Sequence, residues 1–490
     1  MVMINDVARA FFEAPATRAV CVELPPEAKA GGRDMVGYLQ KSLYGTRDAA
    51  ANFQQEVGRF MKGAGFQQSQ YSPSIYYHPQ RQLRTLVHGD DFMTTGSREA
   101  AKWFKKQLDS RFSVSSVVVG NGVDEVPEAR LLGRLVRLTD RGWELEADLR
   151  HAQLLIKQLN LEGAKAVKSP MEDPRPWEEQ ENEEPLMGRE ATDYRALAAR
   201  ANYLALDRPD IAFAAKECCR GMAKPTRGDM RSVRRLARYL IGVPRMVWKF
   251  DWQLPEAVIT MYTDSDWAGC RRTARSTSGG VACRGSHCIK SYSVTQKNVT
   301  LSSAEAELMA IVKASSEGIG LTQLAESWGI TMQTHVRTDS SAALAVCHRK
   351  GNGKLRHVRI GHLWVQEAAE EGRIYYDKIK GEINPADLLT KGLPGPRIAD
   401  LTQRIGMEPR HGAGDLQLEL NLVRGGGDAE GLRATEVGQD AAQPGLARPR
   451  RGGVFGGPRD PTHMSRTAGT TYLSRTDRIR CGVKPCLARV

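Results

Sequence analysis

The chain has 490 residues, 41% hydrophobic and 26% charged, with Lys+Arg 70 against Asp+Glu 57 for a net charge of +13. That length holds two or three domains, and the positive excess suits a polyanionic partner without requiring one. No apolar run approaches the ~18 residues that span a bilayer, Met1–Ala10 lacks a secretory signal pattern, and the nine cysteines form no pair of CxxC units, with Cys481 and Cys486 lacking histidine partners at zinc spacing. The expectation is a reduced, intracellular protein that is not secreted and has no membrane partner; oligomeric state is left open.

Residues 1–150 mix strand-like runs (Val20–Leu24, Ser74–Tyr77, Leu83–Val87) with helical stretches (Asp48–Ala64, Arg98–Asp109). The chain opens directly on an apolar strand-like segment, as though an upstream part were missing. Residues 150–168 read as a helix, and 171–190 as an acidic, Pro-punctuated linker. A helical region follows from about 191 to 240. In its last helix Val233, Leu236, Ala237, Leu240 and Ile241 share one face, while Arg231, Arg234, Arg235 and Arg238 repeat on the other. Those arginines form either a solvated surface or a face that tracks a phosphate backbone.

From about 257 to 394 strands and helices alternate, as in an α/β domain. Val258–Thr263 delivers Asp264 in MYTDSDWAG. Ser302 and Glu305 cap a helix whose first turns carry Glu307. His335–Arg337 leads into Asp339, and Asn384–Lys391 starts a further helix with Asp387. Each acid alone is explained by a turn, a cap or the helix dipole. Residues 395–490 read as a basic Gly/Arg/Pro-rich disordered tail, with 14 Lys/Arg against 9 Asp/Glu in 401–490.

In this order the four acids resemble the ribonuclease H family: Tyr262-Thr263-Asp264, Glu307-Leu308-Met309-Ala310, Thr338-Asp339-Ser340 and Asn384-Pro385-Ala386-Asp387. The resemblance implies an α/β domain with a mixed sheet and a two-metal Mg²⁺ site, with Mn²⁺ as a substitute. Asp264, Glu307, Asp339 and Asp387 would be its metal ligands and catalytic residues, cutting the RNA strand of an RNA–DNA hybrid. The stretch before Asp387 has no histidine, so solvent or Glu382 is left for proton transfer. His357 and His362 lie further back, on an expected helix; His357 either contacts substrate or packs.

Residues 1–150 resemble the palm of a reverse transcriptase. Asp6, in INDVARAFFEA, and Asp90-Asp91, in RTLVHGDDFMTTG, would be its catalytic, metal-binding acids on neighbouring strands. Phe11 stands where that family keeps an aromatic that excludes the ribose 2′-OH, and is equally a core residue. VGYLQKSLYGTRDAAANF, GFQQSQYSPSIYY, SDWAGCRRTARSTSGG, QKNVTLSSAEAEL and NPADLLTKGLP narrow the resemblance to copia-type retrotransposon polyproteins, over roughly residues 1–394. Asp48, Ala50, Phe53 and His88-Gly89 depart from that pattern.

The organisation implied is α/β and α+β multidomain: a partial palm over 1–150, a thumb- or connection-like helical region over 151–256, and a ribonuclease H-like domain over 257–394. The fingers expected before Asp6 are absent, which predicts impaired polymerase activity. The implied partners are an RNA template, a DNA primer, RNA–DNA hybrid and, for an active polymerase, deoxynucleoside triphosphates. The implied location is cytoplasmic particles, the nucleus, or both. The alternatives are a non-catalytic nucleic-acid-binding remnant and an inactive pseudogene product.

Overall fold

A computed structural model describes residues 1–410 except 25–26, 28–35, 172–183, 271 and 354. The tail beyond 410 and most of the acidic linker fall outside the described residues. Among the described residues no helix is long and apolar enough to cross a membrane.

The first sheet has six antiparallel strands in the order Gln67–Gln68, Ile75–His78, Leu83–His88, Asp91–Thr95, Val2–Val7, Val114–Val119. Val2–Val7 lies inside the sheet, and its alternating side chains serve two cores. Met3 and Val7 pack with Phe53, Val57 and Met61 of the helix Ala49–Gly63 and with Phe104 and Leu108 of the helix Arg98–Arg111. Val2 and Ile4 join Val119, Leu131 and Val136 on the opposite side. The helix Arg98–Arg111 starts where the Ser97 hydroxyl accepts the Ala100 N–H at 3.2 Å.

Within the expected palm of residues 1–150 the strands divide between two larger sheets. Glu128–Leu131, Arg134–Thr139 and Gly142–Glu146 leave the first sheet and form a second, five-stranded antiparallel one, completed by Met246–Asp251 and Met407–Pro409. Its partners lie far apart in sequence, so no local signal joins them. The expected tail is corrected at its start. Gly395–Arg404 is a helix, and Ile398, Leu401, Ile405 and Met407 are buried beside Trp248. The i, i+3, i+7 spacing of Ile398, Leu401 and Ile405 is diluted by charged neighbours, which is why composition alone hides this helix.

Four helices, Leu149–Gln158, Gly188–Leu204, Pro209–Arg220 and Arg227–Gly242, share a core of Leu155, Tyr194, Leu197, Ile211, Val233, Leu236 and Leu240. The first stops at Gln158 rather than 168, because Asn160 turns the chain with φ 51°, a left-handed conformation that asparagine tolerates. The helix Arg227–Gly242 opens on a capping box between Thr226 and Asp229.

The third sheet has five strands in the order His287–Thr295, Thr277–Arg284, Val258–Ser265, Gln333–Thr338, Ile374–Lys378. The first three are antiparallel, and the last two run parallel to Val258–Ser265, giving a mixed sheet. The long helix Ser303–Glu326 lies on it, burying Leu308, Ile311, Ala314 and Leu321 against Ile259, Met261 and Val336. Close approach depends on Gly318: a Cβ there would meet Thr334 Cγ2 at 2.4 Å.

Candidate metal centre

Asp264 is the penultimate residue of the central strand, and 2% exposed. Parallel pairing with Gln333–Thr338 brings Asp339 alongside it, because the neighbouring strand ends one residue earlier in Thr338. Glu307 arrives from the first turns of the long helix, whose start is fixed by the Ser302 hydroxyl accepting the Glu305 N–H at 3.2 Å. Among the described residues, Asp264, Glu307 and Asp339 are the trio whose ligand oxygens all come within 4.8 Å of one another.

Three carboxylates this close, two of them buried, resist ionising together. Burial pushes the Glu307 carboxyl up to about 9, reinforced by Asp264 and Asp339. Burial likewise raises Asp264 and Asp339, with Lys391 pulling both down. The Ser265 N–H donates to Glu307 Oε1 at 3.2 Å, while buried Oε2 has no hydrogen-bond partner. A divalent cation fits this donor set: it would neutralise the charge and take the orphaned oxygen.

Asp387 lies on a 3-10 turn, Pro385–Leu389, rather than in an α-helix, and is buried. Asn384 fixes the turn: its Oδ1 accepts the Ala386 N–H at 3.2 Å, and its Nδ2 donates to Thr263 O at 3.1 Å. The Asp387 carboxylate is held by cations, Lys391 at 2.7 Å and Arg397 at 3.2 Å. Lys391 also reaches Asp264 Oδ2 at 3.2 Å, and the Thr390 hydroxyl donates to the same oxygen. Asp387 thus borders the trio through Lys391 rather than joining it.

Several of these supports escaped the sequence reading. Lys391 and Thr390 close the quoted motif NPADLLTK, four and three residues after Asp387, which was a usable signal. Arg397 sits in the segment read as tail. Gln296, in QKNVTLSSAEAEL, donates to Ser265 Oγ, Ser278 Oγ and Ala306 O at 3.1, 3.0 and 2.8 Å, tying the helix of Glu307 to the strand of Asp264.

The remaining candidates divide. Asp6 and Asp91 face each other across paired strands, and Asp90 occupies the two-residue turn after Leu83–His88. Gly89 supplies the turn's φ of 65° at its first central position, and the Val7 N–H donates to Asp90 O at 3.1 Å. Burial raises the Asp6 and Asp91 carboxyls, and Asp90 adds repulsion to both. Phe11 is half-buried against the first core, its ring 4.5 Å from that of Tyr44. The departure at Asp48 has a local partner, because its carboxylate pairs with Arg18 at 2.8 Å.

His357 is not on a helix. It lies in a turn and bonds the Glu305 carboxylate at 2.9 Å, while His362 ends the 3-10 turn Ile360–His362. Arg234 and Arg238 brace the turn after the first helix of the helical region, donating to Leu159 O at 3.2 Å and Lys165 O at 2.9 Å. Arg231 and Arg235 lie on the same helix and also have partners.

Residues 1–173 match the model of the family described as Reverse transcriptase (RNA-dependent DNA polymerase). Over 82% of its length the chain is 27% identical to the Retrovirus-related Pol polyprotein from transposon RE1 of Arabidopsis thaliana, and 26% identical to that from transposon TNT 1-94 of Nicotiana tabacum. It spans 27% and 30% of those relatives' lengths. A foamy viral protease-reverse transcriptase, solved in complex with RNA/DNA hybrid, is similar at 12% identity with a TM-score of 0.47, over 78% of this chain and 44% of that one. The reverse-transcriptase family domain over residues 1–173 and the match to transposon Pol polyproteins over 82% of the chain support a retrotransposon Pol polyprotein.

Proposed function

We propose that residues 257–394 are a divalent-cation-dependent ribonuclease H that cuts the RNA strand of an RNA–DNA hybrid. Asp6, Asp90 and Asp91 then belong to the RNA-directed DNA polymerase side of the same protein, whose partners would be RNA template, DNA primer and deoxynucleoside triphosphates. The observation that carries the nuclease reading is the approach of Asp264, Glu307 and Asp339 within 4.8 Å, with an orphaned Glu307 oxygen. Mg²⁺ suits this all-oxygen set, and Mn²⁺ would substitute.

When bound, divalent cations supply an activated water and charge stabilisation at the leaving 3′ oxygen. The chain's own residues prepare the place. The Ser265 N–H aims Glu307, Thr390 fixes one Asp264 oxygen, and Gln296 holds strand and helix in register. His357 is engaged by Glu305 and is a positioning group in this reading, not a proton carrier. The turn Gly381–Ile383 runs beside Asp339, since a Cβ on Gly381 would lie 3.0 Å from its Oδ2. Glu382 is the next residue of that turn and is the candidate acid for proton transfer in this reading.

The test is cleavage of an RNA strand annealed to DNA in Mg²⁺, comparing the chain with Asp339→Asn. Cleavage lost in the variant, and absent on single-stranded RNA, is the expected result. A well-folded chain that binds hybrid without cutting it would instead support the non-catalytic binding remnant.

A further inference from the structure

The two sides of the carboxylate cluster differ in what already holds them. On one side Glu307 Oε2 is buried with no partner. On the other, the Lys391 ammonium sits 2.7 Å from Asp387 Oδ1 and 3.2 Å from Asp264 Oδ2. Arg397 holds the second Asp387 oxygen at 3.2 Å. The Asp387 side therefore has its charge met by the chain itself, whereas the Glu307 side does not.

The geometry points to Lys391 as a built-in counter-cation: a divalent ion enters the Asp264–Glu307–Asp339 side first and reaches Asp387 only by displacing the ammonium. This rests on the proposed metal-dependent nuclease.

A cation bridging Asp264 and Asp387 would need oxygens at about 2.1 Å. The Lys391 ammonium lies in hydrogen-bond contact with both carboxylates, so the two charges compete for one space. Local structure delivers the lysine there. It stands four residues after Asp387, and its N–H donates to Asp387 O at 3.3 Å in the same turn. Its side chain is 44% exposed, so the flexible stem can carry the ammonium out to water. Arginine at this position would bring a bulkier, forked charge, and methionine or glutamine none. The two sides are thereby predicted to fill in sequence, with Lys391 setting the gap between them.

The experiment counts Mn²⁺ bound to the full chain without nucleic acid, from the loss of the free-ion paramagnetic resonance signal, with Mg²⁺ calorimetry in parallel. Uptake lost in Asp91→Asn belongs to the open acids Asp6, Asp90 and Asp91; the remainder in the wild type is expected to be one ion bound tightly and a second weakly. In Lys391→Met and Lys391→Gln the second affinity should tighten at least about tenfold, since a neighbouring positive charge is gone. Lys391→Arg, which keeps the charge, should bind as the wild type does. Asp339→Asn should remove the tight site in every background, which identifies it. If the two neutral variants fold, as judged by circular dichroism, and bind the same number of ions with unchanged affinities, the inference is overturned while the metal-centre reading stands. No Mn²⁺ uptake by any folded variant or by the wild type would overturn both.

Discussion

The protein carries two groups of acids that differ in depth. Asp6 and Asp90 are exposed and Asp91 half-buried, around the turn of a hairpin. Asp264 and Glu307, by contrast, are 2% and 8% exposed, at the junction of a strand and a helix. In the first group, partial burial and repulsion from Asp90 raise the Asp6 and Asp91 carboxyls. The second has almost no water, and Glu307 is pushed up to about 9. Carboxyl side chains thus form an open group beside solvent and an enclosed one whose charge depends on a cation or a proton.

The largest expected effect separates the two groups by activity. Asp264→Asn should reduce hybrid cleavage at least about 100-fold, because it removes the carboxylate shared by both sides of the cluster. Asp91→Asn should leave cleavage within about twofold of wild type, since it touches only the open group. Comparable losses of cleavage in both variants would mean that the two sites do not act independently and would break the comparison.

The enclosed group should also make stability depend on pH when no cation is present. Glu307 is raised on folding from 4.5 to about 9, so across that window the folded protein holds a proton that the unfolded chain has released. Its contribution is therefore greatest near the lower end and is lost as pH rises toward 9. Urea unfolding in EDTA should show this decline, and Mg²⁺ should offset it by binding only the folded state. Glu307→Gln should flatten the slope relative to wild type. An unchanged slope in that variant would assign the pH dependence to other groups.

What the sequence revealed follows from how local each signal is. Asp264, Glu307, Asp339 and Asp387 stood out in the sequence because each lies where a short strand ends or a helix or turn begins, as with Asp264 after Val258–Thr263 and Glu307 after the Ser302 cap. Asp6 and Asp90-Asp91 stood out through an apolar strand and a Gly-Asp turn. The second sheet did not, because Met407–Pro409 pairs with Met246–Asp251, and that strand in turn with Gly142–Glu146. Lys391 and Arg397, beside these acids, were not foreseen because a run of acid motifs says nothing about which cations neutralise them.

Gln296 makes another connection that joins distant segments. It is buried and makes three hydrogen bonds across the joint between strand and helix. Gln296→Leu should lower stability by about 2 kcal/mol, leaving the Ala306 carbonyl without this donor. It should reduce the rate of cleavage more than hybrid binding, because Glu307 would lose its register with Asp264. Binding and turnover falling by equal factors would make Gln296 a structural residue alone.

The smallest effect concerns the basic helix Arg227–Gly242, where sequence offered two readings. Arg234 and Arg238 donate to the carbonyls of Leu159 and Lys165, so both secure the turn that follows Leu149–Gln158. Each such bond, partly exposed, contributes about 0.5–1.5 kcal/mol. Arg238→Ala should therefore cost about 1 kcal/mol in urea unfolding and leave the salt dependence of hybrid binding unchanged. A phosphate contact would behave in the opposite way: stability would hold, and the slope of log affinity against log salt would fall by about one. Lys in place of Arg238 refines the distinction. Its single ammonium lacks the planar guanidinium whose Nε meets the Lys165 carbonyl, so a bracing role predicts most of the alanine loss. A backbone-tracking role predicts that lysine preserves nearly all of the salt slope.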